Sequence, residues 1–257
     1  MGLPYPRPAW IILPPGTNSV AVDLLYATLR TILRPGMARG FEWVVDGEEH
    51  IPPAGGVVLA ANHISYFDAL CLAYVADRRG RRIRFLAKAS FFDVPVLGAV
   101  LRGVGDIPAG RRRRGAPGAS ALDEAVAALD AGQCIGIFPE GRISGDLEPG
   151  EAHTGVARLA AGAGVPLIPV GLWGSHRLWT RKRRPRLHRG TAEAVVVGPP
   201  VRVEPDEDAR AATDRIMDAI CAQVAEARRL YPQRPPPGRE EWWDLDADTD
   251  RLRSCRR

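Results

Sequence analysis

Two side chains suited to acid–base chemistry, His63 and Asp68, lie five residues apart. A neutral imidazole can take a proton from a hydroxyl, and a carboxylate bonded to the ring can hold it in the required orientation. Five residues on an ideal helix span about 500° of rotation, so these side chains would not face each other there. They can meet only if His63 lies in a turn before a helix. Otherwise, a single histidine at such a position is usually a cap or a satisfied core residue.

The segments on either side of His63 predict such a turn. Residues Val57–Ala61 form an apolar run that is typical of a buried strand in a parallel sheet. Residues 69–76 form an apolar run of helix-favouring residues. His63 is therefore predicted to lie where a strand ends and a helix begins, which is where ligands bind in open α/β sheets.

Strand-like and helix-like segments alternate along the rest of the chain. We predict strands at 41–46, 57–61, 82–87, 103–108, 133–138, 165–173 and 191–197. We predict helices at 18–34, 69–76, 91–101, 119–131, 154–163 and 208–230. The alternation is typical of the α/β class, and we predict a single domain, residues 37–231, whose mainly parallel mixed sheet is flanked by helices.

The two ends of the chain differ from this pattern. Residues 1–17 are proline-rich, and residues 18–34 predict an N-terminal amphipathic helix that Pro35 and Gly36 end. That helix either packs on the core or lies on a membrane surface, and we interpret residues 1–36 as a membrane-associating segment. Residues 232–257 are rich in proline and then in charges of both signs, which predicts a flexible C-terminal tail.

Positive charge is carried almost entirely by arginine. The chain of 257 residues has 35 basic and 30 acidic side chains, a net charge of +5, and Lys88 and Lys182 as its lysines. Arginine suits the bidentate binding of phosphate. The partner could be nucleic acid, an anionic membrane or a phosphorylated small substrate, although a biased genomic base composition would also raise the arginine content.

The cysteines predict a reducing compartment. Cys71, Cys134, Cys221 and Cys255 include no CxxC pair, so neither a structural metal site nor a disulfide framework is expected. The proline-rich N-terminus differs from a secretory signal, and the uncharged stretches 51–67 and 159–175 both contain proline and glycine. We expect a peripheral protein on the cytoplasmic face of a membrane.

Four short motifs stand at the ends of predicted strands, where the sheet would bring them together. They read N-H-x4-D at 62–68, G-D-I-P-A-G-R at 105–111, F-P-E-G-R-I-S at 138–144 and V-P-L-I-P-V at 165–170. In this order they resemble the motifs of the 1-acylglycerol-3-phosphate O-acyltransferase family of glycerolipid acyltransferases. The resemblance covers about residues 40–200. The absence of a nucleophilic Ser or Cys motif favours direct transfer, in which a deprotonated acceptor hydroxyl attacks an activated carbonyl.

The resemblance implies a role for each matched residue. His63 would be the general base that takes the proton of the acceptor hydroxyl, and Asp68 would hold its tautomer and stabilise the imidazolium. Arg111 would bind the acceptor phosphate through charge-assisted hydrogen bonds. Glu140 and Gly141 would shape the acceptor site, Gly141 by allowing the backbone to approach closely. The motif at 165–170 would form scaffold and acyl-pocket wall.

The third motif departs from the family pattern, because the usual Thr-Arg is here Arg142-Ile143. The guanidinium is one residue earlier, which on an extended segment would place it on the opposite face. In a turn it can still reach the same phosphate, and we expect Arg142 to contact the acceptor head group. The segment His153-Thr154-Gly155 occupies a place where a lysine would be expected before the glycine. His153 is either a weaker phosphate contact or a surface residue at a helix start.

The function implied by this resemblance is transfer of a fatty acyl group to the free hydroxyl of 1-acylglycerol-3-phosphate, a step of phospholipid biosynthesis. The donor would be acyl-CoA or acyl carrier protein, with no further cofactor and no metal, and the partners would include an anionic membrane but no nucleic acid. The altered third motif also fits another lysolipid acceptor, such as lyso-ornithine lipid or a glycolipid. An inactive basic binding protein is the alternative, although such a module has no need of a His63–Asp68 pair.

Overall fold

The computed structural model describes residues 20–110, 120–235 and 241–243. Its strands are β1 (Phe41–Asp46), β2 (Val57–Ala61), β3 (Ile83–Lys88), β4 (Ile107–Ala109), β5 (Cys134–Ile137), β6 (Leu167–Trp173) and β7 (Thr191–Val197). Its helices are α1 (Val20–Gly40), α2 (Asp68–Arg78), α3 (Pro95–Val104), α4 (Ala121–Asp130), α5 (Gly155–Ala163) and α6 (Ala209–Leu230). Short 3₁₀ helices cover Glu48–His50, Ala89–Phe91 and Ser175–Arg177.

All seven strands form one sheet in the order β1-β7-β6-β2-β5-β3-β4. Strands β6, β2, β5, β3 and β4 run parallel, whereas β7 is antiparallel to β6 and β1 is parallel to β7. The carboxyl ends of β2, β5 and β6 therefore share one edge with the start of β7. The predicted α/β class, with a single domain and a mainly parallel mixed sheet, is confirmed.

Strand β2 is at the centre of the sheet because every one of its residues is apolar. Val58 and Ala60 face a core that includes residues of α4, α5 and α6. Val57, Leu59 and Ala61 face the opposite core, which includes residues of α2. With helices on both faces, all five side chains are fully buried, and this burial fixes the position at which β2 ends.

Several predicted boundaries differ from those observed, and two of these differences have a clear physical reason. Helix α1 does not end at Pro35 but continues to Gly40, because Met37 is buried and its carbonyl accepts the indole N–H of Trp43 at 2.8 Å. The limit predicted at residue 36 therefore falls inside this helix. Residues 103–106, predicted as strand, instead complete α3 and its cap, where Gly105 has a φ of 81°.

The C-terminal segment differs from the flexible tail predicted for 232–257 at three of its described residues. Gln233 accepts a hydrogen bond from the backbone N–H of Ala192 at 3.2 Å. Trp242 and Trp243 pack with a cluster around Trp173. The guanidinium groups of two arginines lie over the two indole rings. Such contacts between distant residues cannot be inferred from composition. Residues 236–240 and 244–257 of this tail, like residues 1–19 of the predicted N-terminal segment, lie outside the described residues.

Gly171 allows α6 to rest directly on β6. A Cβ at this position would overlap backbone atoms of Gln223 and Val224. We expect Gly171→Ala to lower the free energy of unfolding by about 1–3 kcal/mol or more, because backbone cannot yield as a side chain can. Urea unfolding measures this. Gly145→Ala is the control, since a Cβ there meets nothing within 4 Å and its effect should stay within about 0.5 kcal/mol. Equal effects would contradict the packing argument.

Candidate active site

His63 and Asp68 meet at the edge where β2 ends. His63 lies in the loop after β2, and Asp68 is the first residue of α2. The ring nitrogen Nδ1 of His63 is 2.9 Å from Oδ2 of Asp68. Because a carboxylate only accepts, Nδ1 donates, and the lone pair of the neutral ring is then on Nε2. The side chain of His63 is 19% exposed and that of Asp68 is fully buried, so a partly accessible base has a buried orienting group.

The Asp68 carboxylate receives four hydrogen bonds. Besides His63, the backbone N–H groups of Ile64 and Ser65 donate to Oδ2, both at 2.7 Å. The hydroxyl of Ser175 donates to the other oxygen, Oδ1, at 2.5 Å. A fully buried carboxylate is stable only with such partners. The same bonds fix the loop 63–68, so the position of the imidazole depends on this carboxylate.

The ring of His63 also stacks on Phe138, the residue after β5. Their centroids are 4.1 Å apart with an interplanar angle of 16°. Phe138 in turn is parallel to Phe85, with centroids 5.9 Å apart. The stack covers one face of the imidazole and leaves its edge to meet a substrate.

Glu140, in the loop after β5, connects this loop to the backbone of His63. Its Oε1 accepts the backbone N–H of His63 at 3.0 Å, and its Oε2 accepts that of Gly150 at 3.1 Å. The side chain is buried, and burial raises the pKa of this carboxyl to about 7, partly offset by the two backbone hydrogen bonds. A further bond, from the N–H of Ser144 to the carbonyl of His63 at 2.7 Å, ties the same two loops.

Gly141 and Arg142 lie on the exposed surface beside Glu140. Gly141 has a φ of 64°, and a Cβ there would come within 3.3 Å of the His153 ring, so both the backbone and the available space favour a glycine. Arg142 is close enough to Asp146 to help lower the pKa of that carboxyl, after its hydrogen bonds to Ser144 and to the backbone. Its contact with an acceptor head group stays a prediction.

The structure places the other two predicted motifs differently. The motif at 165–170 enters β6 from the opposite edge, so its expected convergence with the other motifs is wrong for its first residues. Its last residue, Val170, pairs with Ala61 at the end of β2. The motif at 105–111 reaches the edge where β2 ends through β4, which ends at Ala109 beside Lys88. Arg111 lies outside the described residues, and its phosphate-binding role stays a prediction.

The end of β6 instead contributes residues 174–180, which the sequence did not identify. Ser175 bonds Asp68, as described above, and its carbonyl accepts the hydroxyl of Ser65 at 2.9 Å. The carbonyl of Trp179 accepts the N–H of Tyr66 at 3.1 Å, and the hydroxyl of Thr180 donates to the carbonyl of Ile64 at 2.6 Å. This segment therefore holds the loop 63–68 along its length. The one feature of the sequence that could have pointed to this segment is the glycine at position 174, which follows an apolar strand.

His176 is almost fully buried. Its ring contacts Trp173, with centroids 4.4 Å apart, and its Nε2 is 3.3 Å from the carbonyl oxygen of Trp243. Burial lowers the pKa of His176 to about 3. The residue is therefore a neutral part of the packing beneath the loop that carries Ser175.

The fold and the motif residues at this edge define a family. A model of the acyltransferase family matches residues 42–173, and the chain belongs to this family. It is 28% identical to the 1-acyl-sn-glycerol-3-phosphate acyltransferase of Borreliella burgdorferi over 142 residues, 55% of each chain. It is 26% identical to the chloroplastic enzyme of the same name from Brassica napus over 156 residues, 60% of this chain and 44% of the relative.

These comparisons confirm the resemblance inferred from the four motifs. The chain spans about half the length of the two curated relatives. The crystal structure of the 1-acyl-sn-glycerophosphate acyltransferase from Thermotoga maritima shares the fold, with a TM-score of 0.62 and 24% identity over 83% of this chain and 82% of that one.

The raised pKa of Glu140 gives a test by pH. The folded protein holds this proton with a pKa of about 7 against an ordinary value of 4.5, so the contribution of Glu140 to the free energy of unfolding falls as pH rises between those values. In Glu140→Gln this fall is absent. Wild type should therefore lose roughly 3 kcal/mol relative to the variant across the window, as measured by urea unfolding at pH 4.5 and 7.5.

Glu151→Gln is the matched control, because that side chain is 82% exposed. Its unfolding should follow the pH dependence of wild type. If Glu140→Gln also followed wild type, the carboxyl would not hold its proton in the folded protein, and the assignment would be wrong.

Proposed function

We propose that the protein transfers a fatty acyl group from a thioester donor to the free hydroxyl of 1-acylglycerol-3-phosphate, forming phosphatidic acid. The observation that carries this proposal is the hydrogen-bonded His63–Asp68 pair at the carboxyl end of β2, with Nε2 of His63 left to meet a hydroxyl. Support comes from the family and from the names of the relatives in Borreliella burgdorferi and Brassica napus.

In the proposed reaction, Nε2 of His63 takes the proton of the acceptor hydroxyl as its oxygen attacks the thioester carbonyl. The new C–O bond forms, the C–S bond breaks, and the imidazolium returns its proton to the leaving thiolate. The carboxylate of Asp68 stabilises the imidazolium between these two steps. The four hydrogen bonds that Asp68 accepts support this role, because they hold the carboxylate, and with it the imidazole, in place. The proposed reaction uses no protein nucleophile.

The acceptor is proposed to bind on the β5 side of His63. Glu140 and Gly141 form this wall, and their loop also carries Arg142 on its exposed surface. Arg142 and Arg111 are proposed to bind the phosphate, since guanidinium groups match phosphate oxygens. A lysolipid with another head group would use the same base. Comparing the rates of acyl transfer to different acceptors in one assay distinguishes such a substrate from 1-acylglycerol-3-phosphate.

We also propose peripheral binding at the cytoplasmic face of a membrane through α1 and α3. Leu24 and Ile32 of α1 are each 67% exposed, and Val96 of α3 is 78% exposed. An ion pair between Arg34 and Asp77, at 3.0 Å, attaches α1 to α2. Within the described ranges, no helix has both the length and the apolar character needed to span a bilayer. Exposed apolar side chains on attached helices suit an interfacial position.

Replacing the base tests the reaction. We expect His63→Ala to lower kcat for acyl transfer from labelled acyl-CoA to lysophosphatidate by at least about 10²–10⁴-fold, because general-base catalysis is lost. His50→Ala is the control, since that ring bonds the carbonyl of Val197, at 2.9 Å, and activity should persist. Should wild type transfer no acyl group to any lysolipid, or should His63→Ala match wild type, the proposal fails.

Charges on the exposed helices test the membrane proposal. We expect Ile32→Asp combined with Val96→Asp to weaken binding to anionic phospholipid vesicles at least tenfold, since burial of each apolar side chain is worth about 1.5–3 kcal/mol. Vesicle co-sedimentation measures this. Ala211→Asp combined with Ala222→Asp places the same charge on exposed positions of α6 and should have a smaller effect. Equal losses would mean that net charge, and not this surface, governs binding.

A further inference from the structure

A cavity of about 480 Å³ lies at the start of β7, between that strand and the C-terminal segment. Its described lining includes Arg177, Arg189, Arg234 and His188, with Glu241 as the one carboxylate. The cavity therefore has an excess of positive charge. The proposed reaction at His63 does not use these residues.

Arg177 is held in a fixed position at this cavity. Its guanidinium carbon is 3.9 Å from the ring centroid of Trp243. One nitrogen, Nη1, donates to the hydroxyl of Tyr231 at 2.7 Å and also to Gln233. These partners are all neutral, so they orient the cation without cancelling its charge. A preorganised guanidinium loses little freedom when an anion binds.

Arg189 adds a second cation on the cavity wall. It is exposed, and within the described part of the chain it forms no hydrogen bond or ion pair. Arg234 stands on the same wall, where its Nη2 donates to the carbonyl of Arg228 at 3.0 Å. Guanidinium groups on one concave surface are the usual recognition elements for phosphate.

The cavity is connected to the catalytic loop through one short helix. Arg177 ends the 3₁₀ helix Ser175–Arg177, whose first residue donates to Asp68. In the sheet, β7 is two strands from β2, a separation of about 10 Å. It lies on the β6 side of β2, whereas Glu140 follows β5 on the other side. A ligand in this cavity can therefore extend a flexible arm to His63 without meeting the acceptor.

From this arrangement we infer that the cavity binds the phosphate groups of an acyl-CoA donor. The diphosphate and the 3′-phosphate would pair with Arg177, Arg189 and Arg234, and the pantetheine arm would carry the thioester to His63. The inference rests on the proposed use of a thioester donor and specifies its class. Phosphate is also the head group of anionic lipids, so the test must separate the two sources.

The test measures binding without turnover. Coenzyme A and 3′-dephospho-coenzyme A are titrated by calorimetry into wild type, into Arg189→Gln/Arg234→Gln and into Arg181→Gln/Arg184→Gln. The last variant is the matched control, because it removes the same charge from exposed residues that do not line the cavity. We expect the cavity variant to bind coenzyme A at least about tenfold more weakly, the control to bind like wild type, and removal of the 3′-phosphate to weaken wild-type binding.

Other outcomes would overturn the inference. Equal weakening in both variants would indicate a diffuse effect of surface charge. Unchanged binding of coenzyme A with a loss of vesicle binding in the cavity variant would assign the cavity to lipid head groups. No binding of coenzyme A by wild type would exclude this donor. The proposed acyl transfer is judged separately, because the comparison of His63→Ala with wild type can use acyl carrier protein as donor.

Discussion

The buried carboxylate of Asp68 is the constraint on which the rest of the site depends. A charge with no exposure requires donors on every side, and the chain supplies them from the imidazole, from two backbone amides of its own loop and from Ser175. Meeting this requirement fixes the loop after β2, the start of α2 and the end of β6 against one another. The geometry of the base thus follows from the cost of leaving a buried anion unpaired.

Much of the fold could be predicted because its signals are local. The bounds predicted for β1, β2 and β7 coincide with those observed, since each strand is rich in apolar residues and directly follows a glycine. The turn that brings His63 to Asp68 was also predictable, because it depends on five residues and on the helix that follows. The expectation for Pro35 failed because the burial of Met37, a tertiary contact, outweighs the local preference.

The parts that could not be predicted depend on contacts between distant positions. Ser175 is 107 residues from Asp68 in sequence, and a serine after a strand carries no mark of its partner. The motif at 165–170 was expected at the edge where β2 ends, yet it begins at the opposite edge, because a motif records residue types and not the end of the strand that it occupies. Trp243 lies in a segment whose composition suggests disorder, and its ring is held by residues distant in sequence, Arg177 and the cluster around Trp173.

The order of the strands has a kinetic consequence. Because β5 and β6 flank β2 on opposite sides, the proposed acceptor wall at Glu140 and the proposed donor cavity at the start of β7 do not compete for one space. In the proposed reaction two substrates can then occupy the protein together, and neither product has to leave before the second substrate arrives. A sheet that separates its sites in this way suits a ternary complex, in which the acyl group passes between two bound molecules and is never attached to the protein.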